Sequence, residues 1–389
     1  MNSNSPIGMS FQGPDGQEDM PYLLTPGPLT TSRSVKMALL ADWGSRDVEF
    51  RKLVREIRQE LLRLAGCDDT YECVIMQGSG TFAIEAALGS FAPARRKKTL
   101  VVANGAYGER AAKILEKIGR PHDLISKTDV TQLEPKHFKN LLEEDKAISH
   151  VWLIHCETTS GIVNPLSELA REVKSQGRIF MVDAMSSFGA LEVDMARDQI
   201  DVLVSSSNKC IEGVPGFSYV LVKRELLVAS EGQSHSVVLD LFEQWKGLET
   251  SGQFRFTPPT HALVAFRQAL RELDAEGGPA QRERRYQRNA DLLLKGMAEI
   301  GIKPLLSGNE AGPIIQTFLT PRDPNFKFEE FYEALRKHGF AIYPGKLTKR
   351  DSFRIGTIGH IDESVMSRVV DAIKQVLAQM NVKDMTPRD

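Results

Sequence analysis

Ile179-Phe180-Met181-Val182-Asp183, followed by Asp201-Val202-Leu203-Val204-Ser205-Ser206-Ser207-Asn208-Lys209, decides how this chain is read. Each segment begins as a short apolar run, the pattern of a strand buried on both faces of a sheet. A carboxylate closes the first run; three serines, an asparagine and a lysine close the second. Alone, an aspartate after a strand usually caps the next turn, and a lysine usually stays in solvent. The pair changes that reading. Lys209 follows Asp183 by 26 positions, one strand–turn–strand step, which brings both groups to the same sheet edge.

Between about residues 70 and 225 further short apolar runs alternate with helical patterns. Strands are expected at Cys73–Gln77, Thr99–Ala103, His150–Ile154, Ile179–Asp183, Asp201–Ser205 and Phe217–Val222. Helices are expected at Thr81–Ser90, Tyr107–Gly119, Pro135–Glu144 and Pro165–Gln176. This alternation predicts an α/β fold with a mostly parallel, doubly wound sheet. In such sheets ligands bind beyond the carboxyl ends of the strands, so the residues just after each strand carry the functional reading. After about residue 260 longer charged helices (His261–Glu276, Ala280–Ile300) lead to short strands near Pro313–Leu319 and Phe353–Thr357. Helical patterns at Phe328–His338 and Glu363–Met380 complete a smaller α+β unit. The expected organisation is a large domain over residues 21–270, with an N-terminal arm at 21–45, and a small C-terminal domain over 271–389. Gly277-Gly278 is the expected hinge or loop. Residues 1–20, polar and without a basic start or an apolar core, read as a mobile leader.

Two other turns fall at the same edge. Gln77-Gly78-Ser79-Gly80-Thr81 leaves a strand and opens a helix. Free N–H groups at a helix start, with two hydroxyls, form a cradle for phosphate. The turn is neither GxxxxGK[ST] nor GxGxxG, which disfavours ATP or dinucleotide binding. Asn104-Gly105-Ala106-Tyr107-Gly108 also follows a strand, and Tyr107 there is placed to lie on a flat ring.

Composition narrows the remaining classes. The chain has 389 residues, with 49 basic and 51 acidic side chains and a net charge of −2. That balance gives no electrostatic case for nucleic acid or a membrane surface. Cys67, Cys73, Cys156 and Cys210 form no CxxC pair and no zinc-spaced tract, so they read as free thiols of a cytoplasmic protein with no bound metal. No apolar run approaches the roughly 18 residues of a membrane span.

A lysine and a carboxylate at one sheet edge, beside a phosphate cradle and an aromatic ring, are what pyridoxal 5'-phosphate (PLP) requires. The lysine forms a Schiff base with the aldehyde, and the carboxylate keeps the pyridine nitrogen protonated so that the ring accepts electrons. With these residues in view, the chain resembles class V aminotransferases of PLP-dependent transferase fold type I. The resemblance runs from about Leu24 to about Gly359. It rests on Leu24–Pro28, Asp42–Asp47, Gln77–Phe82, Asn104–Arg110, His155–Gly161, Val182–Gly189 and Ser206–Gly216. More closely, the Asp42-Trp43-Gly44-Ser45-Arg46-Asp47, His155-Cys156-Glu157-Thr158-Thr159 and Asn208–Gly216 strings resemble members that pass the amine of 2-aminoethylphosphonate to pyruvate.

The resemblance implies Lys209 and Asp183 as catalytic residues. Ser79, Gly80, Thr81 and Ser207 would hold the phosphate, Tyr107 would stack on the ring, and Thr158 would approach the phenolic oxygen. It implies Arg354 as the substrate anchor, because a planar fork of donors suits a carboxylate or phosphonate. Arg46 is a second expected substrate contact. It also implies a homodimer, with Thr257 in Phe256-Thr257-Pro258 reaching the partner's phosphate. One departure is Ser160, where the resemblance leads to threonine. The PLP-binding core does not separate this activity from alanine–glyoxylate or serine–pyruvate transamination, nor from use of a hydroxylated aminoethylphosphonate. A catalytically silent binding protein on the same fold is disfavoured because both Lys209 and Asp183 are present.

Overall fold

The computed structural model describes residues 20–308, 310–345 and 350–388; the expected leader, apart from Met20, lies outside them. In chain order the strands are β1 (Tyr22–Leu23), β2 (Tyr71–Gln77), β3 (Lys98–Ala103), β4 (His122–Ser126), β5 (Ile148–Ile154), β6 (Cys156–Glu157) and β7 (Ile162–Val163). They continue as β8 (Ile179–Asp183), β9 (Val202–Ser206), β10 (Phe217–Lys223), β11 (Ile315–Leu319), β12 (Phe340–Ala341), β13 (Tyr343–Pro344) and β14 (Ser352–Gly356). The main sheet has seven strands in the order β2-β10-β9-β8-β5-β3-β4. All six strands expected for the large domain are present.

Only β10 runs antiparallel, against both β2 and β9; the β9–β8–β5–β3–β4 neighbours pair in parallel. The physical reason is the connection. No helix separates β9 from β10, so the chain turns back through 207–216 instead of crossing over, and a parallel return needs a crossover of a dozen or more residues. Strand β4 was not expected. Its residues alternate between half-buried and exposed, with Leu124 at 44% exposure, because an edge strand lacks the continuous apolar run of its buried neighbours.

Period-two alternation distributes the sheet's side chains between two cores. Phe180, Val182, Tyr219 and Leu221 join helices Val48–Leu64, Leu166–Ser175 and Thr260–Glu276 on one face. Met181, Val202, Val204, Val220 and Val222 pack on the other face against helices Gly80–Phe91 and Ala106–Lys117. Asp183 shares the parity of Met181 and therefore the second face. The N-termini of that face's two helices carry the Gly-Ser-Gly-Thr turn and Tyr107, so the sheet's alternation itself aims Asp183 toward them. The predicted helix Pro135–Glu144 is split into a 3-10 turn (Pro135–His137) and a short helix (Lys139–Glu144).

A third core gathers Leu293, Met297, Phe318, Phe331, Phe353, Ile355, Met366 and Ile373 around the antiparallel sheet β11-β14-β13. The arm joins this core, with Leu24 buried in it and β1 paired in parallel with β12. The expected seam at 270/271 falls inside the helix Thr260–Glu276, whose Leu270 and Leu273 belong to the first core. The chain passes toward the third core through Gly277 and Gly278, both at positive φ (102° and 81°) where glycine is favoured.

Candidate active site

The carboxyl ends of β2, β3, β5, β8 and β9 meet at one edge, where β10 begins. Gln77 lies opposite Phe217, Ser206 opposite Ser218, and Ile154 opposite Asp183. Asp183 is 2% exposed, and its Oδ1 accepts the backbone N–H of Met185 at 2.8 Å. Burial raises its pKa to about 7; the neighbouring Glu157 adds to the rise, while the Met185 N–H, Lys209 and Arg110 oppose it. Bringing a cation to this carboxylate restores its ionised form.

Lys209 stands just past β9 under the arm. Its Nζ donates to the carbonyl of Pro26 at 2.7 Å, with Gly27 O at 3.5 Å. Burial lowers its pKa to about 8 against the attraction of Cys210, Asp183 and Cys156, and Arg354 lowers it further. Gly27 is at φ +112°, and a Cβ there would lie 2.6 Å from Lys209 Cδ. The arm closes on the lysine only because residue 27 has no side chain.

Ser79 is the exposed residue before helix Gly80–Phe91 and makes no side-chain cap hydrogen bond. The helix start is thus left with first-turn N–H groups that suit an anion. A Cβ at Gly80 would collide with the Met185 thioether, so the cradle lies directly beside the residue following Asp183. Tyr107 is half-buried, and the Arg110 guanidinium carbon lies 4.7 Å from its ring centroid. Arg354 is 6% exposed. Its Nη1 donates to Thr158 O at 2.8 Å, and its Nε and Nη2 donate to Pro344 O at 3.2 and 3.0 Å. Among the described residues no carboxylate lies within ion-pair distance of this guanidinium. Burial lowers its pKa against the pull of Tyr107, Tyr343 and Glu157.

Asp183, Lys209, the 79–81 turn, Tyr107, Thr158 and Arg354 therefore form one neighbourhood. Thr158 enters it through its backbone carbonyl, which the sequence reading did not anticipate. Ser207 has a structural engagement of its own. It is fully buried, and its hydroxyl lies 2.6 Å from Val214 O and 3.0 Å from Phe217 O. That hydroxyl bonds across the 207–216 turn. Arg46 and Thr257 are both exposed and line a separate surface cleft with Ser45, Gln253, Arg255 and Pro258, among others. Gln77 Nε2 donates to Thr257 O at 2.6 Å, which ties this segment to the end of β2 beside the phosphate turn.

Glu157 was missed. It is completely buried and accepts the N–H groups of Tyr107 (3.2 Å), Gly108 (3.3 Å) and Thr159 (3.0 Å), and the Thr159 hydroxyl at 2.5 Å. Burial raises its pKa while these hydrogen bonds oppose the rise. It pins the start of the Tyr107 helix to the loop that carries Thr158. An acid three residues past the end of an apolar strand was the available signal, close to the pattern at Asp183, which ends one. Next to it, His155 is buried with no partner on Nδ1, and burial lowers its pKa to about 4, so it is neutral.

The family model for class V aminotransferases matches residues 40–350, and the chain belongs to that family. It is 51% identical over 368 residues to the protein of Rhizobium meliloti (strain 1021) named 2-aminoethylphosphonate–pyruvate transaminase, covering 94% of this chain and 96% of that one. A Pseudomonas aeruginosa (strain PAO1) protein of the same name is 45% identical, covering 95% of this chain and 99% of its own. Among solved structures, pyridoxamine–pyruvate aminotransferase from Mesorhizobium loti has a TM-score of 0.86 at 21% identity, with coverage of 97% and 96%. Alanine–glyoxylate aminotransferase from Nostoc sp. has a TM-score of 0.84 at 22% identity, with coverage of 97% and 99%. The fold is that of PLP fold type I, the chain is an aminotransferase, and its cofactor is PLP. The residues present fit that cofactor: a desolvated amine, a buried carboxylate that ionises beside a cation, and a free helix N-terminus share one sheet edge. Among the described residues no helix is long and apolar enough to cross a membrane, and no cluster of metal-ligating side chains is present.

Proposed function

We propose that this chain transfers the amino group of 2-aminoethylphosphonate to pyruvate, yielding phosphonoacetaldehyde and L-alanine. The observation that carries the substrate side is Arg354, a buried guanidinium near Lys209 with no carboxylate partner among the described residues, on a chain half-identical over most of its length to a relative named for this reaction. When bound, the cofactor would supply an electron sink for the carbon that bears the donor's nitrogen. Asp183 holds the proton of the ring nitrogen through a charge-assisted hydrogen bond. Lys209 Nζ, lowered toward neutrality by burial, removes the proton from the carbon bearing the donor's nitrogen. Ser79, Gly80 and Thr81 receive the phosphate at the helix start, and Tyr107 covers the ring. Arg354 holds the acidic tail, phosphonate in one half-reaction and carboxylate in the other. One anchor serves two acids in turn because it offers donors without a resident counter-ion.

The protein is proposed to act in the cytoplasm as a homodimer. Phe82 and Phe256 are 53% and 42% exposed, and they flank the phosphate turn and the Thr257 segment. A second copy of the chain covering this face would bring Thr257 to the neighbouring site and Arg46 toward its substrate. Sedimentation should give twice the mass of the 43.3 kDa chain. Mixing Lys209→Ala and Thr257→Ala subunits tests whether one hybrid site recovers activity.

The deciding experiment converts the purified holoenzyme with 2-aminoethylphosphonate in the absence of any keto acid. Loss of the visible absorbance with release of phosphonoacetaldehyde supports the reading. A spectrum that ignores this amine but responds to alanine or serine keeps the family and overturns the substrate.

A further inference from the structure

Immediately behind Lys209 lies a cluster of charged groups, Glu212 and Arg282 buried and Arg285 and Glu276 half-buried, that the reaction itself does not use. Glu212 is 3% exposed, and its N–H donates to the carbonyl of Lys209 at 2.7 Å. Its Oε1 accepts Tyr286 Oη at 2.6 Å and Arg285 Nη2 at 2.8 Å, with Arg282 Nη1 at 3.5 Å. Arg282 Nη1 also donates to the carbonyl of Cys210 at 2.7 Å. Glu276 accepts Arg282 Nε at 2.6 Å and Arg285 Nε at 2.8 Å, balancing two cations with two carboxylates.

The same cluster reaches the other parts of the site. Arg285 Nη1 donates to the carbonyls of Gly359 (2.6 Å) and Ile361 (3.0 Å), a few residues past Arg354 and its strand. Gly359 N donates to Tyr286 Oη at 3.4 Å. His360 N in turn donates to Thr30 O at 2.7 Å, and Gly356 N to Leu24 O at 2.8 Å. The bonded arm, residues 24–30, includes the Pro26 that receives the lysine amine. The cluster therefore ties together two elements far apart in sequence, the Lys209 turn and the segment after the Arg354 strand, and that strand and segment in turn bond the arm over the lysine.

Stability alone is a weak reason for such a cluster. Desolvating charged groups offsets much of their mutual attraction, and apolar replacements are often as stable. A fixed set of directional bonds supplies geometry, which apolar packing does not specify as sharply. We propose that Glu212, held by Tyr286 and Arg285, is a positioning residue that sets Lys209 against the Arg354 strand and the arm, so that an acid seated on Arg354 presents its amine-bearing carbon to Lys209. This rests on the roles of Lys209 and Arg354 given above and adds the group that fixes their relative placement.

The test uses the holoenzyme of Tyr286→Phe and, separately, of Arg285→Lys. Tyr286→Phe alters no charge and leaves Asp183 and Arg354, whose charges reach Lys209, in place. The first readout is the pH midpoint of the visible band of the Lys209-bound cofactor. Loosening the turn admits water to the lysine nitrogen and favours its protonated form, so the midpoint should rise by about half a pH unit or more. The second is a split in kinetics: kcat should fall about ten-fold with KM changed less than about three-fold, as for an interaction made in the transition state. Arg285→Lys, which cannot reproduce the fork to Glu212 and Gly359, should move both readouts the same way. Arg288→Gln, which breaks the exposed Arg288–Glu363 pair on the same helix, should leave both at wild-type values. Folded Tyr286→Phe and Arg285→Lys proteins with the wild-type midpoint and kcat would overturn the proposal, whatever their melting temperatures. So would an equal shift in Arg288→Gln. The midpoint needs only bound cofactor, so it remains decisive even if 2-aminoethylphosphonate proves not to be the donor.

Discussion

Lys209 Nζ and the carbonyl oxygen of Pro26 are 2.7 Å apart, so the arm supplies the hydrogen-bond acceptor that holds the reactive amine. Gly27 makes this approach sterically open. Gly27→Ala places a methyl group against the lysine stem at a positive φ. It should weaken cofactor retention and lower kcat by about ten-fold or more, since a small misplacement of reacting groups is costly. Cofactor release on dialysis and steady-state rates provide the check.

Lys209→Ala should abolish the visible band and reduce turnover by at least about 10³-fold, the scale of losing a positioned base. In the protein without cofactor, Lys209 also leaves a signature in stability against pH. Its folded pKa is depressed to about 8 from 10.5, so the unfolded chain binds more protons between those values. Lysine's contribution to stability is therefore fully present above 10.5 and lost as pH falls through 8. Lys209→Met should remove that slope in apo-protein melting curves.

Asp183 gives the opposite sign. Its folded pKa is raised to about 7 from 3.8, so the folded chain holds the extra proton. Its stabilising contribution is present below 3.8 and lost as pH rises through 7. Asp183→Asn should flatten the apo-protein's stability between pH 4 and 7, while lowering holoenzyme kcat by about 10²-fold or more through loss of the electrostatic partner. Melting temperatures across pH, paired with turnover, separate the two effects.

Arg354→Ala should lower kcat/KM in both half-reactions by about 10- to 100-fold, the range of a charge-assisted hydrogen-bonded contact. The visible spectrum of the resting holoenzyme should be unchanged, because the anchor touches substrate. A loss confined to one half-reaction would show that phosphonate and carboxylate use different anchors.

Glu157→Gln replaces a carboxylate oxygen by an amide that donates, opposite backbone N–H groups that also donate. It should cost about 1–3 kcal/mol of stability and disturb the Tyr107 helix start. Ser207→Ala should cost about 1 kcal/mol and leave PLP affinity at the wild-type value. A large loss of affinity in Ser207→Ala would return that hydroxyl to the phosphate shell.

The residue pattern alone places the buried strands of the seven-stranded sheet, because apolar runs flanked by turns have a strong local signature. It also determined the edge on which Asp183, Lys209, the 79–81 turn and Tyr107 meet, since each directly follows a strand in a β–α series. It did not reveal β4, whose half-exposed residues carry no such run, nor the reversal of β10, which depends on how the 207–216 turn closes. Tertiary packing alone bonds the Ser207 hydroxyl across the 207–216 turn, sets Arg46 and Thr257 in one cleft apart from Lys209, and turns the Thr158 carbonyl toward Arg354. It alone revealed Pro26 over Lys209, Glu157 beneath Tyr107 and Glu212 behind the lysine. Most of these contacts join residues distant in the chain, and many of them end on backbone atoms. A carbonyl has the same chemistry at every position, so its choice as a partner is set by packing and leaves no residue pattern to read.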